Sequence, residues 1–136
     1  MSEQNVDVVK TFFHLFSAGR LDEIRKEYLT DDFEWIYHGP ASLPWAGVYR
    51  GAAGFDRFFE IVHGLLEVRD LEVQEYLDAG DRIVVLGVSH TRILANDATY
   101  DAPWMTVFRI RDGRICQYLD LYDTASVVEA LNRPQP

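Results

Sequence analysis

Apolar residues in the first half of the chain recur at the spacing of amphipathic helices. Residues 4–18 predict one helix, Gly19 is a natural stop after it, and residues 21–28 predict a second, shorter helix. Four apolar residues at positions i, i+3, i+4 and i+7 predict a third helix: Phe55, Phe58, Phe59 and Val62. The aromatic-rich residues 33–38 are typical of a short strand, and residues 39–50, with their prolines and glycines, predict an ordered loop.

Beyond the third helix the apolar period changes from 3.6 to 2, which predicts β-strands. Four strands are predicted, over residues 68–77, 82–94, 100–111 and 114–122. Asp112 followed by Gly113 is a strong signal for a two-residue hairpin between the last two strands. Because all the connections are short, we expect consecutive strands to be antiparallel neighbours. A closing helix is predicted over residues 124–132, with Asp123 or Thr124 as its N-cap.

The predicted element order is α-α-β-α-β-β-β-β-α, with most helices before the strands. This order predicts an α+β fold in which helices cover one face of a curved antiparallel sheet. A sheet curved around helices leaves a conical cavity between the two layers. Both faces of the strands predicted over residues 82–94 and 100–111 are apolar. We therefore expect the outer face of the sheet to pair with a second copy of the chain in a homodimer. The predicted interface residues are Ile83, Val85, Met105 and Val107.

Composition narrows the class of protein. The chain of 136 residues, 48% of them apolar, suits one domain with a full hydrophobic core. A net charge of −9 argues against nucleic acid and anionic membranes as partners. One cysteine, Cys116, can form neither an intrachain disulfide nor a thiolate zinc cluster. No signal-peptide pattern and no membrane-spanning apolar run are visible, so we expect a soluble, cytoplasmic protein.

Two motifs resemble a known family. They are the run G-V-Y-R-G-x-x-G-F-x-x-F-F at residues 47–59 and the run F-R-I-R-D-G-R-I at residues 108–115. With the aromatic first strand, they resemble SnoaL-like proteins of the nuclear-transport-factor-2-like superfamily, which includes ketosteroid isomerases, limonene-type epoxide hydrolases and polyketide cyclases. The resemblance covers residues 1–136 as a single SnoaL-like domain. It implies a cone-shaped α+β barrel, often dimeric through its sheet, with a pocket between sheet and helices.

The positions that carry chemistry in these relatives are mostly changed. Where ketosteroid isomerases have an oxyanion tyrosine, a general-base aspartate and a protonated aspartate, this chain has Phe12, Tyr37 and Thr106. The Asp-Arg-Asp relay of limonene-type epoxide hydrolases is incomplete, because its paired Arg and Asp fall near residues 89–91, where neither is present. The last-strand aspartate of epoxide hydrolases and SnoaL-type cyclases is kept as Asp120. These changes argue against ketosteroid isomerisation by the mechanism of those relatives. Asp120 is the one acid/base position that this chain keeps.

Asp120 is the first candidate for acid/base catalysis. It shares a strand face with Tyr118 and Tyr122, and burial among these rings would raise its pKa toward neutrality. The alternative is a structural carboxyl that hydrogen-bonds tyrosine or backbone groups. Asp123 is expected to cap the last helix rather than to take part in catalysis. His90 is the second catalytic candidate, because histidine titrates near neutral pH. A structural role in the core or in an interface is at least as well supported for this residue.

Aromatic residues make up 13% of the chain and supply candidate walls for a binding pocket. Plain core packing is the alternative explanation for them. The predicted substrate-binding residues are Trp35, Tyr37, His38, Trp45, Trp104, Thr106 and Tyr118. Tyr100 belongs to the same set of candidate wall aromatics.

No metal and no cofactor are expected. The four histidines are scattered, without a helical His-x-x-His or Glu-x-x-His pair, and no phosphate-binding P-loop is present. The resemblance to SnoaL-like proteins then implies a cofactor-free isomerase, cyclase, hydratase or hydrolase-like lyase that acts on a small apolar molecule. In this hypothesis Asp120 moves the proton and His90 or Tyr37 assists. The alternative is a non-catalytic ligand-binding or assembly module with the same cavity.

Overall fold

The computed structural model describes residues 2–134, and within them the chain forms four helices and six strands. The helices are α1 (Ser2–Ser17), α2 (Leu21–Glu27), α3 (Gly51–Leu65) and α4 (Thr124–Leu131). The strands are β1 (Leu29–Tyr37), β2 (Gly47–Arg50), β3 (Leu66–Asp78), β4 (Arg82–Ile93), β5 (Thr99–Arg111) and β6 (Arg114–Tyr122). None of these helices combines the length and the apolar character that crossing a bilayer requires.

All six strands belong to one curved, open sheet in the order β2-β1-β6-β5-β4-β3. Every neighbouring pair is antiparallel except β1 and β6, which are parallel. The hairpin between β5 and β6 turns at Asp112 and Gly113, whose φ angles are 52° and 77°. Positive φ at both central residues is what a two-residue hairpin of the favoured twist requires. The predicted hairpin is therefore confirmed.

The helical layer covers one face of the sheet and encloses the core. The predicted apolar face of α3 is buried against the sheet. Burial alternates along β4 and β5, where inward positions are almost fully buried and outward positions are half-buried or exposed. The α+β fold predicted from the element order is confirmed by this arrangement.

Three local features differ from the sequence-based predictions. β1 begins at Leu29, four residues before the strand that was predicted from residue 33. Residues 47–50, predicted as loop, form β2 and pair with β1. The parallel pairing of β1 with β6 also went unpredicted. Both pairings depend on which distant segment lies alongside, and the local apolar pattern does not contain that information.

The middle of the outer face, on β4 and β5, is apolar, as predicted, but two residues were assigned to it wrongly. Ile83 and Val85 are fully buried in the core. The outward positions of the neighbouring strands β4 and β5 are Val84, Leu86, Val88, Met105 and Val107, and all five are half-buried. Both sides of β4 are apolar, so periodicity alone did not distinguish the inner side from the outer.

Candidate active site

A cavity lies between the concave face of the sheet and helices α1 and α3. Its volume is about 50 Å³. That is room for a few water molecules, whereas a cavity that admits a benzene ring measures about 150 Å³. The wall is mostly aromatic and aliphatic, and no Lys, Arg or His of the described chain lines it. Its polar side chains are Tyr37, Ser89, Thr91, Tyr100, Tyr118, Asp120 and Tyr122.

Asp120 is held on the inner face of β6, between Thr106 on β5 and Tyr37 on β1. It is 4% exposed. Its Oδ1 accepts the Thr106 hydroxyl at 3.0 Å, whereas Oδ2 has no hydrogen bond to any described residue. Burial raises the pKa of Asp120 from 3.8 to about 8, and the bond from Thr106 offsets this only in part. The carboxyl is therefore mostly protonated at neutral pH, and Oδ2 is free to exchange its proton.

Stacked aromatic rings position the phenols around this carboxyl. Tyr118 lies flat on Trp35, with ring centroids 3.7 Å apart and an interplanar angle of 9°. Tyr37 stacks on Tyr122, with centroids 5.3 Å apart. Burial raises the pKa of all three tyrosines, and the charge of Asp120 adds to the effect. The phenols therefore stay neutral and act as hydrogen-bond donors.

Trp45 closes the cavity from the loop between β1 and β2. Its indole packs edge-on against Tyr37, with centroids 6.1 Å apart. Its carbonyl accepts the Tyr49 hydroxyl at 2.9 Å. Among the lining residues that the structure describes, Trp45 alone lies outside the helices and strands. A ring-sized ligand needs one wall to move, and a wall carried by a loop moves most readily.

Comparison with known proteins identifies the family. The SnoaL-like domain family matches residues 9–118. The chain belongs to this family. A search of curated proteins gives no match.

Solved structures share the SnoaL-like fold over nearly the whole chain. An NTF2-like protein from Burkholderia xenovorans is 25% identical, with 97% of this chain and 98% of that chain covered and a TM-score of 0.83. TerC, co-crystallised with polyporic acid, is 24% identical, with 96% and 99% covered and a TM-score of 0.83. A candidate polyketide cyclase from Xanthomonas campestris is 22% identical, with 96% and 98% covered and a TM-score of 0.76.

The cavity of this SnoaL-like chain contains most of the predicted binding residues. Those that line it are Trp35, Tyr37, Trp45 and Tyr118. Thr106 lies behind it and bonds Asp120. Trp104 and His38 are corrections to the prediction. The Trp104 ring faces inward but packs in the core over Gly87 and against Phe13, and His38 is exposed beyond the end of β1.

The structure separates His90 from Asp120, because His90 lies on the outer face of the sheet. Its Nδ1 is 2.8 Å from a carboxylate oxygen of Asp101, and its Nε2 is 3.3 Å from one of Glu72. These carboxylates, Asp101 foremost, raise the pKa of His90. One carboxylate oxygen each of Asp70 and Glu72 and one ring nitrogen of His90 also lie within 4.8 Å of one another, on this exposed face. The expectation that His90 assists Asp120 is therefore wrong, since the sheet lies between them.

Sequence reasoning missed the two hydroxyl residues of the cavity wall. Ser89 and Thr91 are successive inward positions of β4 and flank the outward His90. The alternation would have revealed them once the inner side of β4 was known. The predicted role of Asp123 is confirmed, because its carboxylate caps α4 by accepting the Ser126 N–H at 3.4 Å and the Ser126 hydroxyl at 2.6 Å.

Proposed function

We propose that this SnoaL-like protein is a cofactor-free acid/base enzyme that acts on a small apolar molecule in the cavity. The observation that carries the proposal is the state of Asp120: buried, bonded through Oδ1 only, and with a pKa raised to about 8. A carboxyl with a pKa near the working pH both accepts and returns a proton efficiently. The TerC structure with polyporic acid and the candidate polyketide cyclase, both of the same fold, support a small organic ligand.

The arrangement suits proton transfer next to a carbonyl group. The carboxylate form of Asp120 takes a proton from the carbon beside the carbonyl at Oδ2, while Thr106 holds Oδ1. The electron pair of the broken C–H bond moves to the carbonyl oxygen, and the neutral phenols of Tyr37 and Tyr122 stabilise the resulting enolate by hydrogen bonding. Asp120 then returns the proton to carbon. Isomerisation, cyclisation and dehydration can all begin with this step.

The test is deuterium exchange at the carbon beside the carbonyl of 1-tetralone, followed by NMR in D2O. We expect the rate to rise with pH and to level off above about pH 8, because the carboxylate is the active form. Asp120→Asn should reduce exchange to the buffer background. Asp123→Asn is the matched control, since this residue caps a helix outside the cavity, and should exchange at the wild-type rate. Wild-type exchange in Asp120→Asn would show that the acid/base role is wrong.

A non-catalytic ligand-binding module is the second candidate. The observation that favours it is that no second group with a pKa near neutrality lines the cavity among the described residues, since the pKa values of its tyrosines are all raised. The same probe separates the two candidates. Quenching of tryptophan fluorescence by 1-tetralone, without exchange above background in the wild type, would identify a binding module.

We also propose that the outer face pairs with a second copy of the chain. Its half-buried apolar residues on β4 and β5 form a continuous patch on rigid strands, and patches of this kind mark interfaces. Sedimentation equilibrium should give twice the chain mass of 15.7 kDa. Leu86→Glu, at the centre of the patch, should shift the protein toward monomer. A wild-type monomer at micromolar concentration would contradict this proposal.

A further inference from the structure

Three hydroxyl groups form a second polar cluster in the cavity, apart from Asp120. Ser89 and Thr91 are 1% and 2% exposed, and their hydroxyl oxygens are 2.7 Å apart. Tyr100 is the partner of Thr91 on β5, and its phenol lies close to the Thr91 side chain. All three residues line the cavity. We call this set the hydroxyl cluster.

The hydroxyl cluster and Asp120 approach the cavity from different ends. Asp120 pairs with Thr106 on β5, and Tyr100 lies six residues earlier on the same strand. At about 3.3 Å per residue, the two backbone positions on β5 are roughly 20 Å apart. Side chains from both positions nevertheless line the same cavity. A molecule that spans the cavity therefore meets the carboxyl at one end and the hydroxyl cluster at the other.

The hydroxyl cluster has more donors than its own hydrogen bonds use. Three hydroxyls carry three O–H donors. The bond between Ser89 and Thr91 uses one of them, and a contact between Tyr100 and Thr91 uses at most one more. At least one donor is left over, whichever way the chain of bonds runs, and no described residue outside the cluster accepts it. Burial raises the pKa of Tyr100 to about 12, so this donor is present at neutral pH. A buried donor without an acceptor is unfavourable, and a ligand oxygen would satisfy it.

The surrounding wall indicates the charge of that ligand. No cationic side chain of the described chain lines the cavity, so a carboxylate or phosphate would be buried there without a counter-charge. A carbonyl, phenol or ether oxygen accepts the same hydrogen bond without that penalty. The rest of the wall is aromatic and aliphatic and suits a ring.

We propose that Ser89, Thr91 and Tyr100 form a second oxygen-binding subsite, which selects neutral ring compounds with an oxygen at each end. This inference rests on the proposed function, because it concerns the ligand of the same cavity. One oxygen belongs to the carbonyl next to which Asp120 acts. The other accepts the spare donor of the hydroxyl cluster and so sets which end of the molecule faces Asp120.

The test compares two probes, 1-tetralone and 6-hydroxy-1-tetralone, which differ by one oxygen at the end remote from the carbonyl. We expect the wild type to bind the hydroxylated probe about fivefold more tightly, the ratio that one hydrogen bond supplies. The triple variant with Ser89→Ala, Thr91→Val and Tyr100→Phe removes all three hydroxyls at nearly constant shape and should bring the ratio close to one. Tyr118→Phe also removes a phenol hydroxyl from the cavity wall, outside the hydroxyl cluster, and should keep the wild-type ratio.

The outcomes distinguish the subsite from the acid/base proposal. A ratio near one in the wild type, a ratio that the triple variant leaves unchanged, or no binding of either probe would overturn the subsite. The ratio needs no catalysis, so it can be measured in Asp120→Asn as well. A fivefold ratio in that variant, together with wild-type protein that shows no deuterium exchange, would support the subsite and contradict the acid/base role. Circular dichroism of each variant confirms that it is folded.

Discussion

Replacement of Asp120 by asparagine tests the protonation state of the cavity. Asparagine keeps the size of the side chain and can still accept the Thr106 hydroxyl, but it carries no titrating proton. Because burial raises the pKa of Asp120 from 3.8 to about 8, the folded protein prefers the neutral acid. The stability that this preference provides is fully present below pH 3.8, decreases as the pH rises toward 8, and levels off above it.

The size of the effect follows from the two pKa values. Between them the folded state binds one more proton than the unfolded state, so the free energy of unfolding falls by about 1.4 kcal/mol per pH unit. From pH 5 to pH 8 this amounts to about 4 kcal/mol from Asp120 alone. Carboxyls whose pKa is lowered on folding have the opposite effect, so that the free energy of unfolding rises with pH. The pKa values of Asp32 and Glu67 are lowered by hydrogen bonds from arginines, so their contribution is lost as the pH falls.

The assay is urea unfolding of wild type and Asp120→Asn at pH 5, 6, 7, 8 and 9. The difference between the two proteins cancels the other carboxyls and isolates Asp120. We expect Asp120→Asn to gain about 4 kcal/mol relative to wild type between pH 5 and pH 8, and little beyond that. Tyr118→Phe is the control, because burial raises the pKa of this phenol well above 10, so its difference from wild type should stay constant. A constant difference for Asp120→Asn would refute the raised pKa.

Four further predictions concern residues that do not line the cavity. Gly87→Ala should destabilise the fold by about 1 to 3 kcal/mol in urea unfolding, because a Cβ at this position would overlap the Trp104 ring. His90→Gln should leave 1-tetralone exchange at the wild-type rate, since His90 lies on the outer face. Asp101→Asn should lower the pKa of His90 in an NMR titration, because this carboxylate is the main cause of its rise. Asp123→Ala should cost about 1 kcal/mol of stability in thermal or urea unfolding without changing the exchange rate.

Local signals in the sequence were sufficient for the helices, the hairpin turn and the antiparallel order of β3 to β6, but not for the positions of β1 and β2 in the sheet. The apolar face of α3 and the turn at Asp112 and Gly113 are set by neighbouring residues, so they could be read directly. The parallel pairing of β1 with β6 joins segments about eighty residues apart in the chain, and no local pattern encodes it. The orientation of β4 could not be predicted from local patterns either. Both of its sides are apolar, so the inward Ser89 and the outward His90 could not be assigned to a face.

The choice of aspartate at position 120 is better explained by chemistry than by structure. A structural role needs a group that accepts the Thr106 hydroxyl, and asparagine would meet that need without a group whose charge is unfavourable when buried. Aspartate instead leaves Oδ2 unbonded and makes stability fall with rising pH. The same desolvation that causes this cost brings the pKa close to the pH at which proton transfer is most effective. The destabilising feature and the proposed catalytic feature therefore share one physical cause, and removing the carboxyl should abolish exchange while it stabilises the fold above pH 5.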